Sequence, residues 1–145
     1  MANSKFAAFM KQNKVKKENG FYAPTKSLCD ESGAPIKWEF KHITPKENDE
    51  IRDECSKEIP VVGKSGMYRT RIDAGKYLRK LITASVVFPD LYDAELMDSY
   101  GVNKPEDLLV ELVDDVGEYQ ELAEFVQRFQ GFTSSFEDKV DEAKN

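Results

Sequence analysis

The stretch that decides the fold runs AGKYLRKLITASVVFPDLYDAELMDSYGV, residues 74–102. Its first half places Tyr77, Leu78, Leu81, Ile82 and Val86 three and four apart, on one stripe of a helix. Asp73, just ahead, supplies a cap. This predicts the central core helix over 74–88, ended by Pro89, with Phe88 the last aromatic before the break. The second half predicts a short helix with Asp90 or Asp93 as cap and Gly101 just past its end. Four carboxylates (Asp90, Asp93, Glu95, Asp98) sit among Val87, Phe88, Leu91, Tyr92, Leu96, Met97, Tyr100 and Val102. They read either as an acidic reaction centre or as caps and solubilising charge on a packing and docking element. Glu95 and Asp98 share a helix face, while Asp90 and Asp93 suit the positive end of the helix dipole. Nothing basic stands beside them to complete a reaction centre, and capping with solvation accounts for all four.

Upstream lies a hairpin signal. FYAPTKSLC (21–29) reads as an edge strand, because Pro24 cannot donate to a ladder. DESGAP (30–35) has turn chemistry. IKWEFKH (36–42) alternates, with Ile36, Trp38, Phe40 and His42 on one face and Lys37, Glu39 and Lys41 on the other, as a half-buried strand does. A helix follows, opened by Thr44 as N-cap, Pro45 at the first position and Glu47 closing a capping box. Its body is charged and only Ile51 and Cys55 face inward. IPVVGKSGMYRTRID (59–73) reads as two extended arms around a Gly-Lys-Ser-Gly tip, either hairpin or loop. Downstream, Pro105 opens a helix with Leu108, Leu109, Leu112, Val113 and Val116 on its stripe. Gly117 interrupts it, and a further helix carries Tyr119, Leu122, Val126 and Phe129 to Gly131.

These readings predict an α+β fold: a small antiparallel β-hairpin element, with or without residues 59–72, packed against a mainly α-helical C-terminal half. Residues 1–20 are expected to be a flexible arm with a short helix at 4–11, where Phe6, Phe9 and Met10 share one side. Residues 21–131 make a single globular domain, and 132–145 an acidic, disordered tail. A chain of 145 residues suits one domain with a real core. No run of about 18 apolar residues exists to span a membrane. FAAFM, near the N-terminus, is too short for a secretory signal, so a cytosolic protein is expected. Cys29 and Cys55 form no CxxC pair and read as reduced.

The net charge of −6 is unevenly spread: residues 1–72 carry 14 Lys/Arg against 10 Asp/Glu, and residues 73–145 carry 7 against 17. Such an acidic half argues against nucleic acid as a partner. The catalytic motifs fail one by one. GKSG at 63–66 lacks the glycine five residues earlier that a phosphate loop needs, since position 58 is Glu58, and no helix follows it. His42 is the single histidine, in phase with Trp38 and Phe40, and reads as a strand-end residue partly covered by core; no second histidine or cysteine cluster completes a zinc set, and no nucleophile-elbow pattern accompanies it for a Ser-His-Asp site. DESG lacks the closing acidic ligand of a calcium loop. No catalytic, metal or cofactor residue is expected. What remains is an excess of aromatics. Phe125, Phe129, Phe132 and Phe136 recur near the C-terminus, where they either meet another chain or fold back on their own core.

SLCDESGAPIKWEFKHIT (27–44) followed by PKENDEIRDEC (45–55), then KYLRKLITASVVFPDLYDAELMDSYGV (76–102) and GEYQELAEFVQRFQGF (117–132), together resemble the tail assembly chaperones of long-tailed bacteriophages. The resemblance is to the XkdN-like group of phages and prophages of Gram-positive bacteria, and it runs from about Phe6 to Phe132. It implies a non-catalytic protein without cofactors that works in the host bacterial cytoplasm and is absent from the mature virion. The implied partner is the phage tape measure protein, kept soluble while tail tube subunits polymerise round it. The tail tube protein is a second implied partner, and self-association stays open. The expected partner-binding residues are Phe88, Leu91, Tyr92, Leu96, Met97, Tyr100, Phe125, Phe129 and Phe132, framed by helices at 74–88, 91–100 and 105–130. The alternatives are a structural virion component, such as a head–tail connector or tail completion protein, and a nucleic-acid-binding regulator.

Overall fold

Alternation in Trp-Glu-Phe seeds the sheet. In the computed structural model, which describes residues 4–132, Trp38 and Phe40 are fully buried while Glu39 between them faces outward. This strand, β2 (Trp38–Phe40), lies at the centre of a three-stranded antiparallel sheet, flanked by β1 (Gly20–Tyr22) and β5 (Val86–Phe88). Gly20 pairs with Phe40, Tyr22 with Trp38, Phe88 with Glu39 and Val86 with Phe40, with a register shift between Glu39 and Phe40. Between β2 and β5 the chain makes α1 (Pro45–Glu54), a separate hairpin of β3 (Ser56–Pro60) and β4 (Tyr68–Ile72), and α2 (Ala74–Ser85). After β5 come α3 (Ala94–Ser99), α4 (Pro105–Leu112) and α5 (Val116–Phe129). The fold is α+β, with helices dominating the C-terminal half.

Local chemistry explains most boundaries. The Thr44–Glu47 capping box is formed in both directions and starts α1, whose inward residue Ile51 and the following Cys55 are buried. Asp73, Asp93 and Asp115 accept from the backbone N–H groups of Lys76, Leu96 and Glu118, and so open α2, α3 and α5. Helices α3 and α5 end alike. Gly101 and Gly131 turn with φ +69° and +93°. The next N–H groups then reach back, Val102 to Met97 O and Phe132 to Gln127 O, each at the hydrogen-bond spacing of a Schellman cap. Both caps fold an apolar residue, Val102 or Phe132, back onto the core.

Four expectations are corrected. The first strand is only Gly20–Tyr22. Pro24 lies outside the ladder, and residues 23–37 return as a loop closed by one Cys29–Pro35 bridge. The central helix stops at Ser85, because Val86-Val87-Phe88 pairs along β2 as β5. Two β-branched residues before an X-Pro position resist helix, and β2 offers an unfilled edge. The break between the last two helices falls at 113–115, where Asp115 caps, so Val116 opens α5 exposed at 74% instead of completing the α4 stripe. The N-terminal segment forms two 3₁₀ turns, Ser4–Phe9 and Lys11–Asn13, that leave Phe6, Phe9 and Met10 exposed. The segment 59–73, left open between hairpin and loop, is the β3–β4 hairpin. Of the tail predicted over 132–145, Phe132 packs half-buried against the core, and the rest, Phe136 included, lies outside the described residues.

The core joins the inner face of the three-stranded sheet to the helices. Trp38 and Phe40 meet Leu81 and Ile82 of α2, Leu108 and Leu109 of α4, and Leu122 and Val126 of α5, all at or near zero exposure. Each such side chain contributes roughly 1.5–3 kcal/mol on burial. Polar ties close the periphery. Gln130 donates to Lys41 O (2.9 Å) and Ser85 Oγ (2.8 Å) and accepts from Ile43 N–H (3.0 Å), pinning the end of α5 to the ends of β2 and α2. Glu118 accepts from the Thr25 hydroxyl (2.8 Å) and Lys26 N–H (2.9 Å), pinning the loop after β1 to the start of α5. Lys80 of α2 bridges Glu54 of α1 (3.1 Å) and Glu106 of α4 (3.0 Å).

Candidate partner-binding surface

The acids of residues 90–98 have structural work. Asp90 accepts from Tyr92 N–H (3.0 Å) and Asp93 from Leu96 N–H (2.8 Å), so both organise the entry to α3. Glu95 and Asp98 are exposed. With the acids turned to capping and solvent, this segment presents Tyr92 at 69% exposure and Tyr100 at 37%, and Phe88 on β5 is 55% exposed. Leu91 is a core residue at 2% exposure, and Leu96 and Met97 are half-buried against that core.

The C-terminal aromatics fold back. Tyr22 stacks on Phe125 (ring centroids 4.5 Å) and Phe129 stacks on His42 (4.0 Å), with Phe125 and Phe129 5.8 Å apart. Phe40 meets Phe125 edge-on at 5.0 Å. Each such contact adds about 0.5–1.5 kcal/mol beyond area burial. The stack fits because Gly20 has no side chain: a Cβ there would lie 2.8 Å from Phe129 Cε2. Phe132 packs half-buried against the same core. Of the nine expected contact residues, Phe88, Tyr92 and Tyr100 thus lie open, and the other six are buried or half-buried.

Two apolar residues of the sheet outside the expected contact set, Phe21 and Val87, also lie open. On the outer face of the sheet, Phe21 (62% exposed) pairs across to Glu39, and Glu39 to Phe88. Cross-strand partners share a face, so Phe21, Glu39 and Phe88 make one row. Val87 (42% exposed) also lies open on β5. The signal was present in Glu39: once it points outward, whatever pairs with it does too. The missing knowledge was which strands pair.

The remaining chemistry is structural. The Asp30 carboxyl is held below its usual range by the Ser32 hydroxyl and the Ala34 N–H, a turn-closing cap rather than a cation site. Burial pushes the Cys55 thiol up, away from the reactive thiolate, and both thiols are free. The Tyr22 hydroxyl is raised too, by burial and then by Glu121, Glu118 and Glu124 around it. Gly63 and Gly66 shape the β3–β4 tip with positive φ and no helix follows it directly. Among the described residues no group of three or more His, Cys, Asp or Glu is placed to hold a metal ion, and no helix is long and apolar enough to cross a membrane.

The fold is shared with a crystal structure of the protein YqbN, a structural genomics target, with a TM-score of 0.71 and 20% sequence identity over 87% of this chain and 95% of that one. No curated protein matches the sequence. The family model described as "Phage XkdN-like tail assembly chaperone protein" matches residues 6–144. The chain belongs to the XkdN-like phage tail assembly chaperone family.

Proposed function

We propose that the protein binds the phage tape measure protein through its exposed aromatic surface and keeps it soluble while the tail tube assembles. Family membership supports a role in tail assembly and, with it, phage tail proteins as partners. The observation that carries the finer reading is the exposure of Phe88, Tyr92 and Tyr100, together with Phe21 and Val87, on a protein whose net charge is −6. Large apolar side chains left open beside capping and solvated acids suit reversible contact with the apolar stripes of an unassembled helical protein. The surplus negative charge disperses the complex. Leu91, Leu96, Met97 and Phe132 belong to or pack against the core, and Phe125 and Phe129 stack on Tyr22 and His42. On this reading the protein acts by shielding surface rather than by chemistry. It works in the host cytoplasm, yields its place to tail tube subunits and stays out of the virion.

Co-expression with the tape measure protein of the same phage tests the proposal. The tape measure protein should move from the pellet to the soluble fraction and co-purify with this chain. An insoluble, unbound tape measure protein would overturn the reading. Recovery of this chain from purified particles would instead make it a virion component, such as a connector or tail completion protein.

A further inference from the structure

The β3–β4 hairpin stands apart in charge. It carries Lys57, Lys64, Arg69 and Arg71 against the one carboxylate Glu58, in a protein whose residues from 73 onward are strongly acidic. The register sorts these charges by face. Lys57 pairs across to Arg71 and Ile59 to Arg69, so Lys57, Arg69, Arg71 and Ile59 share one face. Ser56, Thr70 and Ile72 lie on the other, where they border an open groove of about 500 Å³ against Asp49, Arg52 and Asp53 of α1. The basic face is therefore turned away from α1. Two cations placed directly opposite each other destabilise a ladder. Here the carboxylate that relieves them among the described residues is Asp73, 4.0 Å from Lys57. Among the described residues no carboxylate lies within ion-pairing distance of Arg69 or Arg71. Among the described residues the hairpin sheet has these two strands, and no third strand pairs with its edges.

The complementary surface is on the same molecule. Glu118, Glu121 and Glu124 fall at three-residue spacing along one side of α5. Glu118 is engaged by Thr25 and Lys26. Glu121 and Glu124 are exposed, with Glu124 meeting Arg128 at 3.7 Å on the open surface. We infer that the basic face of the β3–β4 hairpin docks on the acidic side of α5 in a second copy of this chain. The two surfaces differ, so the contact is heterologous: each copy keeps one free hairpin and one free acidic side unless a ring closes. Steering between opposite charges favours this encounter at low ionic strength. The inference does not depend on the tape measure reading, because self-association is measured with the purified chain alone.

Sedimentation velocity of the full chain tests it. The wild type should show concentration-dependent association at about 0.05 M salt and be monomeric at about 0.5 M, where the screening length falls to a few ångströms. R69E/R71E should weaken association at least about tenfold, and so should E121K/E124K. The first variant keeps charge on the hairpin, so protection of its edges from aggregation is unchanged, and circular dichroism should confirm both folds. Mixing the two variants should restore association, since each supplies the surface the other lacks. A wild type that stays monomeric at low salt would overturn the inference. Association that resists salt or survives both reversals would overturn it as well. So would a monomer that binds a duplex DNA or RNA probe through Arg69 and Arg71, for that would assign the basic face to nucleic acid.

Discussion

Gln130 shows how much one uncharged residue can hold. Its amide donates to Lys41 O and Ser85 Oγ and accepts from Ile43 N–H, and Ser85 is itself fully buried, donating to Leu81 O at 2.7 Å. Three chain ends meet there: those of α5, β2 and α2. In the sequence it is one more glutamine in an amphipathic helix end, and nothing local marks it. Replacing it with leucine keeps much of the volume but strands the Ile43 N–H and the Lys41 carbonyl. Gln130→Leu should therefore cost about 2 kcal/mol, from hydrogen bonds lost and a polar group left unpaired in a half-buried site. Urea denaturation measures it. A cost below about 0.5 kcal/mol, within the range of ordinary surface changes, would mean that water replaces these bonds and the knot is decorative. Leu91 teaches the converse. It stands beside Tyr92 in the same apolar segment, yet one is buried and the other open.

At the scale of elements, what the sequence made legible was local. Thr44 with Glu47, Asp73 and Asp93 mark helix starts through bonds spanning three residues, and each start stands where the spacing predicts. The inward pair Ile51 and Cys55 was readable for the same reason. β5 was not, because Val86-Val87-Phe88 continues the helical stripe as well as it fits a strand, and the deciding fact is the free edge of β2, more than forty residues upstream. Phe125 and Phe129 were undecidable too, since the same spacing serves a partner or the chain's own sheet. The α1–α2–α4 junction yields a pH prediction. Lys80 is raised above its ordinary value by the hydrogen bonds that it donates to Glu106 and Glu54, against the opposing effect of burial. Burial would raise the Glu106 carboxyl, but its own backbone N–H and Lys80 outweigh it and the net shift is downward. The Glu106 contribution is therefore complete above its ordinary value of 4.5 and is lost as pH falls through the lowered folded value. That of Lys80 is complete below 10.5 and is lost as pH rises through the raised folded value. Lys80→Met should cost about 1–2 kcal/mol near neutral pH, because the Lys80 and Glu106 side chains are only 21% and 24% exposed and Glu106 loses its partner. The difference from wild type should shrink on acidification past the Glu106 titration. Urea midpoints at neutral and acid pH measure this, and a gap that stays constant would assign the loss to packing of the lysine stem.

Across the whole molecule, the division between core and contact surface becomes the test of function. The helical half supplies a rigid backing, the aromatic stack of Tyr22, Phe125, Phe129 and His42 ties the sheet to it, and Phe21, Val87, Phe88 and Tyr92 are left facing solvent. Burying a charge in this core costs several kcal/mol, whereas placing one at these exposed positions costs little. Phe88→Lys combined with Tyr92→Lys, which sets a cation rather than a second acid opposite Glu39, should stay within about 1 kcal/mol of wild-type stability and keep the circular dichroism spectrum. On the proposed function the same variant should fail to solubilise or retain the tape measure protein. Leu91→Asp, one position from Tyr92, should do the opposite in kind: unfold the domain, losing about 3 kcal/mol or more, and lose capture only because the fold is gone. The contrast separates a docking surface from a packing one. If the double variant still captures its partner at wild-type yield, contact is made elsewhere. If it unfolds instead, Phe88 and Tyr92 bear on stability in a way that their 55% and 69% exposure does not allow.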